Sequence, residues 1–257
     1  MKTAIKWLLG NFDIDVVRKS NFRRLYERSE AAYELDFLHA LPVEDSARLF
    51  PYLSQSKAQG WQDLFVLSAV GFKRGGYFVE FGATDGVTLS NTHLLETQFG
   101  WTGLLAEPAQ VWREALHANR KAAIETRCVW TKSGEVLTFN ETQTAEISTI
   151  AAFGDDEFRQ WRKDGRRYDV ETISLNDLLD AHGAPSVIDY LSVDTEGSEF
   201  EILNAVDFDR YRFRVITCEH NYTPVREKVH ALLSGHGYRR VLEHISRWDD
   251  WYVLSDS

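Results

Sequence analysis

Two glutamates stand at the ends of consecutive apolar, strand-like runs of the chain. Glu80 lies in the segment 77–86, which reads Tyr-Phe-Val-Glu-Phe-Gly-Ala-Thr-Asp-Gly, and Glu107 follows Leu-Leu-Ala and precedes Pro108. A helical stretch separates the two runs, and Gly82 permits a sharp turn after the first. A glycine turn, a helix and then an acid about 20 residues on, at the tip of the next strand, is the arrangement by which an α/β sheet binds a nucleoside and its ribose hydroxyls.

The charge around the glycine turn distinguishes between nucleoside cofactors. A dinucleotide-binding turn reads G-x-G-x-x-G and places a pyrophosphate at a helix N-terminus. This chain instead reads Glu80-x-Gly82-x-x-Asp85-Gly86. Two carboxylates would repel a pyrophosphate and would attract a cofactor with positive charge. S-adenosylmethionine (SAM) carries a sulfonium and an ammonium group, so the sequence favours SAM over a nicotinamide dinucleotide.

Further acids and a histidine follow two later strand-like runs. Asp194 and Glu196 come after the run that ends at Val193, and Glu219 and His220 close the next run. The carboxyl ends of parallel strands meet at one edge of an α/β sheet, where ligands bind. These groups are therefore expected to face the cofactor.

Methyl transfer from a sulfonium to a hydroxyl requires a group that removes the hydroxyl proton, either a base or a metal ion. We predict Asp194, Glu196 and His220 as catalytic residues, with His220 or Glu196 as the base in a metal-free reaction. Asp194, Glu219 and His220 alternatively predict a site for a divalent cation such as Mg²⁺. The residue types leave both hypotheses open.

Alternating strand and helix patterns connect these positions. Strands are predicted at 77–81, 102–106, 124–130, 136–139, 168–173, 188–193, 215–219, 238–243 and 251–254. Helices are predicted at 90–99, 110–120, 174–182, 199–205 and 224–234. The alternation indicates a mostly parallel sheet, but the short link between the last two strands requires antiparallel pairing. The predicted fold class is α/β: a Rossmann-like class I methyltransferase sheet, mostly parallel, with an antiparallel C-terminal hairpin and helices on both faces.

Residues 1–58 are predicted to form a helical N-terminal extension, and residues 59–257 the SAM-binding domain. The extension carries aromatic and apolar residues at helical intervals, namely Phe22, Leu25, Tyr26, Tyr33 and Phe37. It is expected to pack on the sheet domain, to cover the substrate as a lid, or to form a contact in a homo-oligomer.

Composition narrows the class of protein. The net charge of −10 argues against non-specific binding to nucleic acid or to anionic membranes. Cys128 and Cys218 lie in apolar runs and are expected to be buried free thiols in a reducing compartment. The first ten residues have too short an apolar core for a signal peptide, and no run is long enough for a transmembrane helix. A cytoplasmic location is expected.

The segments 76–116 and 170–203 resemble the FkbM family of SAM-dependent methyltransferases. The resemblance rests on Val-Glu-Phe-Gly-Ala-Thr-Asp-Gly at 79–86, Ser-Asn-Thr at 90–92, Gly-Trp-Thr-Gly at 100–103, Glu-Pro at 107–108 and Leu-Ser-Val-Asp-Thr-Glu-Gly-Ser-Glu at 191–199. Gln62 lies in a segment that resembles the family's lead-in. The resemblance implies a SAM-dependent O-methyltransferase that acts on a sugar hydroxyl of a glycan, glycolipid or glycosylated natural product.

The predicted cofactor-binding set combines these motifs with the end of the third strand, where an adenine ring would lie. It comprises Gln62, Glu80, Gly82, Ala83, Thr84, Asp85, Ser90, Asn91, Glu107, Pro108, Cys128, Val129, Trp130 and Asp194. Ser148 and Thr149 are further candidates for the pocket wall.

Two other functions remain open at this point. A nicotinamide-dependent sugar-modifying enzyme is disfavoured, because the third glycine and a Tyr-x-x-x-Lys pair are missing. A non-catalytic SAM-binding or scaffold module is disfavoured by the acids at both strand ends.

Overall fold

The computed structural model describes residues 18–153 and 159–255. The chain divides into two compact units, the first ending at Ala47 and the second beginning at Arg48. In the first unit the described residues form helix α1 (Lys19–Ala40) and most of α2 (Val43–Leu49). Residues 1–17 of the predicted extension lie outside the described residues, and the predicted boundary at residue 58 stays a prediction.

The second unit is built on a sheet of seven strands that follow the apolar runs of the sequence. Its strands are β1 (Tyr77–Phe81), β2 (Thr102–Ala106), β3 (Ala123–Glu125), β8 (Val187–Val193), β9 (Arg212–Glu219), β10 (Tyr238–Val241) and β11 (Asp249–Leu254). They lie side by side in the order β10-β11-β9-β8-β1-β2-β3. The first five run parallel, and β11 pairs antiparallel with both β9 and β10. The predicted class I methyltransferase sheet with its antiparallel hairpin is confirmed.

Seven helices accompany the strands of this unit within the described ranges. They are α3 (Gln62–Ala69), α4 (His93–Phe99), α5 (Arg113–Asn119), α6 (Arg159–Arg162), α7 (Leu175–Ala181), α8 (Glu199–Asn204) and α9 (Val225–Gly235). The Ser174 hydroxyl caps α7 by accepting a hydrogen bond from the Asp177 backbone N–H at 3.1 Å, as its sequence pattern predicts. Among the described residues, every helix is too short or too polar to span a bilayer.

The prediction of a single third strand over residues 124–130 is wrong. Glu125 ends β3, and Arg127 turns back to its carboxylate through a side-chain bond of 2.7 Å. The chain then enters a second sheet, which no pattern in the sequence indicated. Its strands are β4 (Cys128–Trp130), β5 (Val136–Glu141), β6 (Thr149–Ile150) and β7 (Arg166–Ser174). They lie side by side in the order β4-β7-β5-β6.

The core of the second unit lies on the faces of the seven-stranded sheet. Fully buried apolar side chains from β1, β8 and β9 pack with those of α7 and α8. Both cysteines are buried and free, as expected. Because this core covers the parallel strands on both sides, their polar carboxyl ends are left at one edge, and the site begins there.

Candidate active site

A cavity of about 410 Å³ opens at the carboxyl edge of the parallel strands. This volume lies within the range of small-molecule binding pockets. Its walls contain most of the predicted cofactor set: Gln62, Glu80, Gly82, Thr84, Asn91, Glu107, Pro108, Cys128, Val129 and Asp194. Ser148 also lines it, as do Glu196 and Glu219.

Glu107 is held rigidly at the tip of β2. One carboxylate oxygen accepts the Thr84 N–H at 2.9 Å, and the other accepts the Ala109 N–H at 2.8 Å. Burial raises the pKa of the Glu107 carboxyl to about 7. Each oxygen keeps a lone pair for a further donor. The carboxylate is therefore placed to accept hydrogen bonds from the two hydroxyls of a ribose.

Gly82 brings the end of β1 against the end of β8. Its φ is +72°, and a Cβ placed on it would lie 2.3 Å from the Asp194 carbonyl oxygen. A side chain at this position would separate the two strand tips that flank the cavity.

Replacing Gly82 with alanine is expected to destabilise the protein by about 3 kcal/mol, from the left-handed backbone together with the overlap with Asp194. Gly183→Ala is the matched control, because Gly183 has a φ of +59° and a Cβ added there would meet no atom within 4 Å. The control is expected to cost about 1 kcal/mol. Urea unfolding measures both losses; equal losses would show that the contact with Asp194 is unimportant.

Glu80 organises the loop before α4, and its carboxylate is bound by protein groups that the sequence did not indicate. Its carboxylate accepts the Asn91 N–H at 2.6 Å and the hydroxyls of Ser90 and Thr92. The Arg120 guanidinium lies 3.7 Å away. Burial raises the pKa of the Glu80 carboxyl, and the charge of Arg120 acts against that shift. Arg120 thus neutralises a carboxylate that was predicted to attract a cation.

Asn91 faces the cavity with an unsatisfied acceptor. Its amide nitrogen donates to the Ser192 hydroxyl at 2.9 Å, while its buried Oδ1 has no hydrogen-bond partner within the described residues. A buried acceptor without a partner costs free energy, which a donor from a bound ligand would recover. The ammonium group of SAM is such a donor.

Four predicted cofactor contacts lie outside the described cavity walls, namely Ala83, Asp85, Ser90 and Trp130. Asp85 accepts the N–H groups of Val87 and Thr88, closing its own turn. Ser90 is used by Glu80, and the Trp130 ring packs edge-on against Phe153. Each of these side chains is engaged in local structure or, at Ala83, fully buried, and their contact with the cofactor stays a prediction.

The second sheet supplies an apolar wall that sequence reasoning missed. Phe139 and Ile150 are paired across β5 and β6 and line the cavity with Cys128 and Val129. All four are buried in the structure. This wall suits the face of an adenine ring. The alternation of β5 indicated a strand, but nothing in it indicated where that strand would pack.

Three carboxylates meet on the cavity wall at the ends of β8 and β9. Asp194, Glu196 and Glu219 each place an oxygen within 4.8 Å of the others. Burial, and then the negative charge of Glu196, holds the pKa of the Asp194 carboxyl well above its ordinary value. Burial and Asp194 raise the pKa of Glu219 in the same way. Such a cluster favours whatever brings it positive charge, whether a proton, an ion or a cationic ligand.

The loop that carries Glu196 is fixed from both sides. Glu199 accepts the N–H groups of Thr195 and Gly197 at 2.9 and 3.0 Å. Arg162, a buried residue of α6, contacts the Glu196 carboxylate at 2.8 Å. The pairing of Arg162 with Glu196 was not predicted, because Arg162 lies in a charged segment without any clear period.

His220 lies beside this cluster but outside the described cavity walls. Its Nδ1 accepts the Tyr222 N–H at 2.9 Å, and its Nε2 lies 3.8 Å from an Asp250 oxygen. At that distance the Nε2 makes no hydrogen bond, and it has no other partner within the described residues. The roles of His220 as a base or a metal ligand stay predictions. The groups whose oxygens lie close enough together to share one ion are Asp194, Glu196 and Glu219.

Gln62 lines the cavity from the start of α3. Its amide nitrogen donates to Asp249 at 2.6 Å, and its oxygen accepts the Gly60 N–H at 2.8 Å. These bonds fix the side chain in the wall. With the apolar wall, the ribose-type acceptor Glu107 and the three carboxylates, the cavity matches the parts of a cationic nucleoside such as SAM.

Comparison with solved structures finds remote likenesses. Precorrin-6y C5,15-methyltransferase from Geobacter metallireducens GS-15 is 15% identical, with a TM-score of 0.38 over 69% of this chain and 72% of that one. The N-terminal domain of human METTL16 is 12% identical, with a TM-score of 0.39 over 75% and 68%. A SAM dependent methyltransferase from Aquifex aeolicus is 10% identical, with a TM-score of 0.36 over 76% and 91%. Likenesses of this strength carry no argument about chemistry.

Comparison with families gives a direct result, whereas comparison with curated proteins finds no match. The methyltransferase FkbM domain matches residues 80–240. The match begins at Glu80 and includes Glu107 and the three clustered carboxylates. Because it covers well over half of the sequence, this chain belongs to the FkbM methyltransferase domain family and is a SAM-dependent methyltransferase.

Proposed function

We propose that this chain is an O-methyltransferase that methylates a sugar hydroxyl in a glycan, glycolipid or glycosylated natural product. The observation that carries the proposal is the cluster of Asp194, Glu196 and Glu219 on the cavity wall. A hydroxyl is a weak nucleophile until its proton is withdrawn. Clustered carboxylates accept hydrogen bonds from sugar hydroxyls and offer a destination for that proton.

The donor end of the cavity has its own set of contacts. SAM, when bound, supplies a methyl group made electrophilic by the sulfonium. Glu107 would accept hydrogen bonds from the ribose, Asn91 would accept one from the ammonium, and the wall of Cys128, Val129 and Phe139 would exclude water from the adenine. These contacts would fix the direction of the transferring methyl group, which an in-line displacement requires.

We assign the proton acceptor to Asp194. Glu196 is paired with Arg162, and His220 lies outside the described cavity walls with its Nδ1 accepting the Tyr222 N–H. Asp194 follows β8 directly and lies against Gly82, so its position is set by the two central strands. Glu219 lies beside it and would hold the acceptor hydroxyl by a second hydrogen bond.

The same carboxylates also support a metal-assisted form of the reaction. Asp194, Glu196 and Glu219 would hold one divalent cation such as Mg²⁺ through oxygen ligands. A cation at this position would lower the pKa of a bound hydroxyl. Turnover after exhaustive chelation separates the two forms: activity that persists supports Asp194 as the base, and activity that is lost and restored by Mg²⁺ supports the metal.

The proposed function is tested by calorimetry with SAM, S-adenosylhomocysteine (SAH) and NAD, followed by a methyl-release assay on methyl glycosides and reducing sugars. We expect binding of SAM and SAH, no binding of NAD, and turnover on at least one sugar. A protein that binds SAH but methylates no sugar would contradict the carbohydrate proposal and favour a non-catalytic SAM-binding module.

We further propose that the N-terminal extension forms a contact between copies of the chain. On α1, Phe22, Leu25 and Tyr26 are each more than half exposed and lie on one face of the helix. An apolar helix face of this kind is typical of self-association.

A further inference from the structure

An exposed aromatic side chain stands on the cavity wall beside the carboxylates. Tyr222 is 70% exposed and lines the cavity together with Asn221 and Trp248. Glu219, three residues before Tyr222, lines the same cavity. The wall therefore presents two aromatic residues and an amide next to Glu219, which would bind the acceptor hydroxyl.

The backbone that presents Tyr222 is strained. Asn221 and Tyr222 have φ values of +42° and +56°, in the left-handed region. Asparagine tolerates this region, but for tyrosine it costs about 1 kcal/mol or more. Nine non-glycine residues of the described chain have a positive φ, and five of them line the cavity: Thr84, Leu89, Glu196, Asn221 and Tyr222. Because the strained residues are concentrated at one cavity, we infer that their backbone conformations serve to present side chains to that cavity.

His220 holds this strained turn in place. Its Nδ1 accepts the Tyr222 N–H at 2.9 Å, and the two rings meet edge to face with centroids 5.2 Å apart. The backbone N–H groups of His220 and Asn221 both donate to the Trp248 carbonyl, at 2.8 and 3.2 Å. The turn after β9 is thus tied to Trp248, the residue that precedes β11.

We infer that Tyr222 and Trp248 form a platform on which the sugar ring of the acceptor stacks, and that His220 is a positioning residue that sets Tyr222. The inference rests on the proposed function and names the site where its acceptor binds. One face of a pyranose ring presents C–H groups, which complement the electron-rich face of an aromatic ring. The hydroxyls at the ring edge are then directed toward Asn221 and Glu219.

The first test is the acceptor dependence of Tyr222 variants, measured on the methyl glycoside that the wild type methylates. Tyr222→Ala is expected to lower kcat/KM for this acceptor about tenfold, and Tyr222→Phe to restore most of it, since stacking needs the ring and not the hydroxyl. The dissociation constant for SAH is expected to stay unchanged. Phe50→Ala is the control, because it removes another exposed aromatic ring.

The second test separates positioning by His220 from proton transfer. The oxygen of an asparagine at position 220 can replace Nδ1 as the acceptor for the Tyr222 N–H, whereas leucine cannot. We expect His220→Asn to keep most of the turnover and His220→Leu to raise the acceptor KM about tenfold. Loss of kcat in both variants, with an unchanged KM, would show that His220 acts in the chemistry and would overturn its positioning role.

The outcomes also distinguish failure of the platform from failure of the proposed function. A wild-type protein that methylates a sugar, with Tyr222→Ala equally active, overturns the platform and leaves the function standing. A wild-type protein that binds SAH but methylates no sugar overturns both. Melting temperatures of all variants, compared with the wild type, show that each change in rate comes from folded protein.

Discussion

Replacing Asp194 with asparagine is expected to lower turnover about a thousandfold, because the variant loses the group that accepts the acceptor proton. The asparagine keeps an oxygen in the same place, so donor binding is expected to weaken by no more than about tenfold. Single-turnover methyl release measures the chemical step, and calorimetry with SAH measures donor binding.

The stability of the Asp194→Asn variant shows whether its loss of turnover comes from the chemical step or from unfolding. The pKa of Asp194 is held well above its ordinary value, first by burial and then by the charges of Glu196 and Asp249. Removing one negative charge from this cluster relieves repulsion, so the melting temperature is expected to stay the same or to rise. Glu201→Gln on α8 is the matched control and is expected to keep its activity. A folded Asp194→Asn variant with most of its turnover would contradict the catalytic assignment.

Replacing Glu107 with glutamine is expected to weaken SAH binding about a hundredfold, which corresponds to the loss of two hydrogen bonds to a charged group. The amide would also present its NH₂ to Thr84 or Ala109, both of which donate N–H groups to this side chain. One buried N–H would then lose its acceptor. Calorimetry with SAH gives the affinity, and kcat at saturating SAM is expected to change little.

Glu114→Gln makes the same chemical change at an exposed position of α5 and is expected to leave SAH binding unchanged. An affinity in Glu107→Gln equal to that of this control would remove Glu107 from the ribose contact. A reduced kcat at saturating SAM would instead indicate that Glu107 acts on the reacting groups.

The strand pattern could be predicted from the sequence where apolar runs were continuous and bounded by glycine or polar residues. The bounds of β1 and β2 were predicted as the structure has them. The antiparallel hairpin followed from the short link between its strands. The prediction for 124–130 failed because the residue pattern of one segment cannot show that its two halves, β3 and β4, pair with strands of different sheets.

The partners of the charged groups could not be predicted. Arg120 lies 40 residues from Glu80 in the sequence, and Arg162 lies 34 residues from Glu196. Whether a carboxylate is free or neutralised depends on which distant side chain packs against it, and residue types carry no such information. The same reason accounts for His220, whose Nδ1 accepts the Tyr222 N–H.

The sequence by itself determined where the acids would gather. Alternating strands and helices force the carboxyl ends of parallel strands to one edge, so acids that close those strands must share a site. Only the tertiary structure decided which of them remain available there. Arg120 and Arg162 neutralise two carboxylates, and the second sheet closes the cavity with Phe139 and Ile150, because the packing of distant segments sets charge balance and cavity walls.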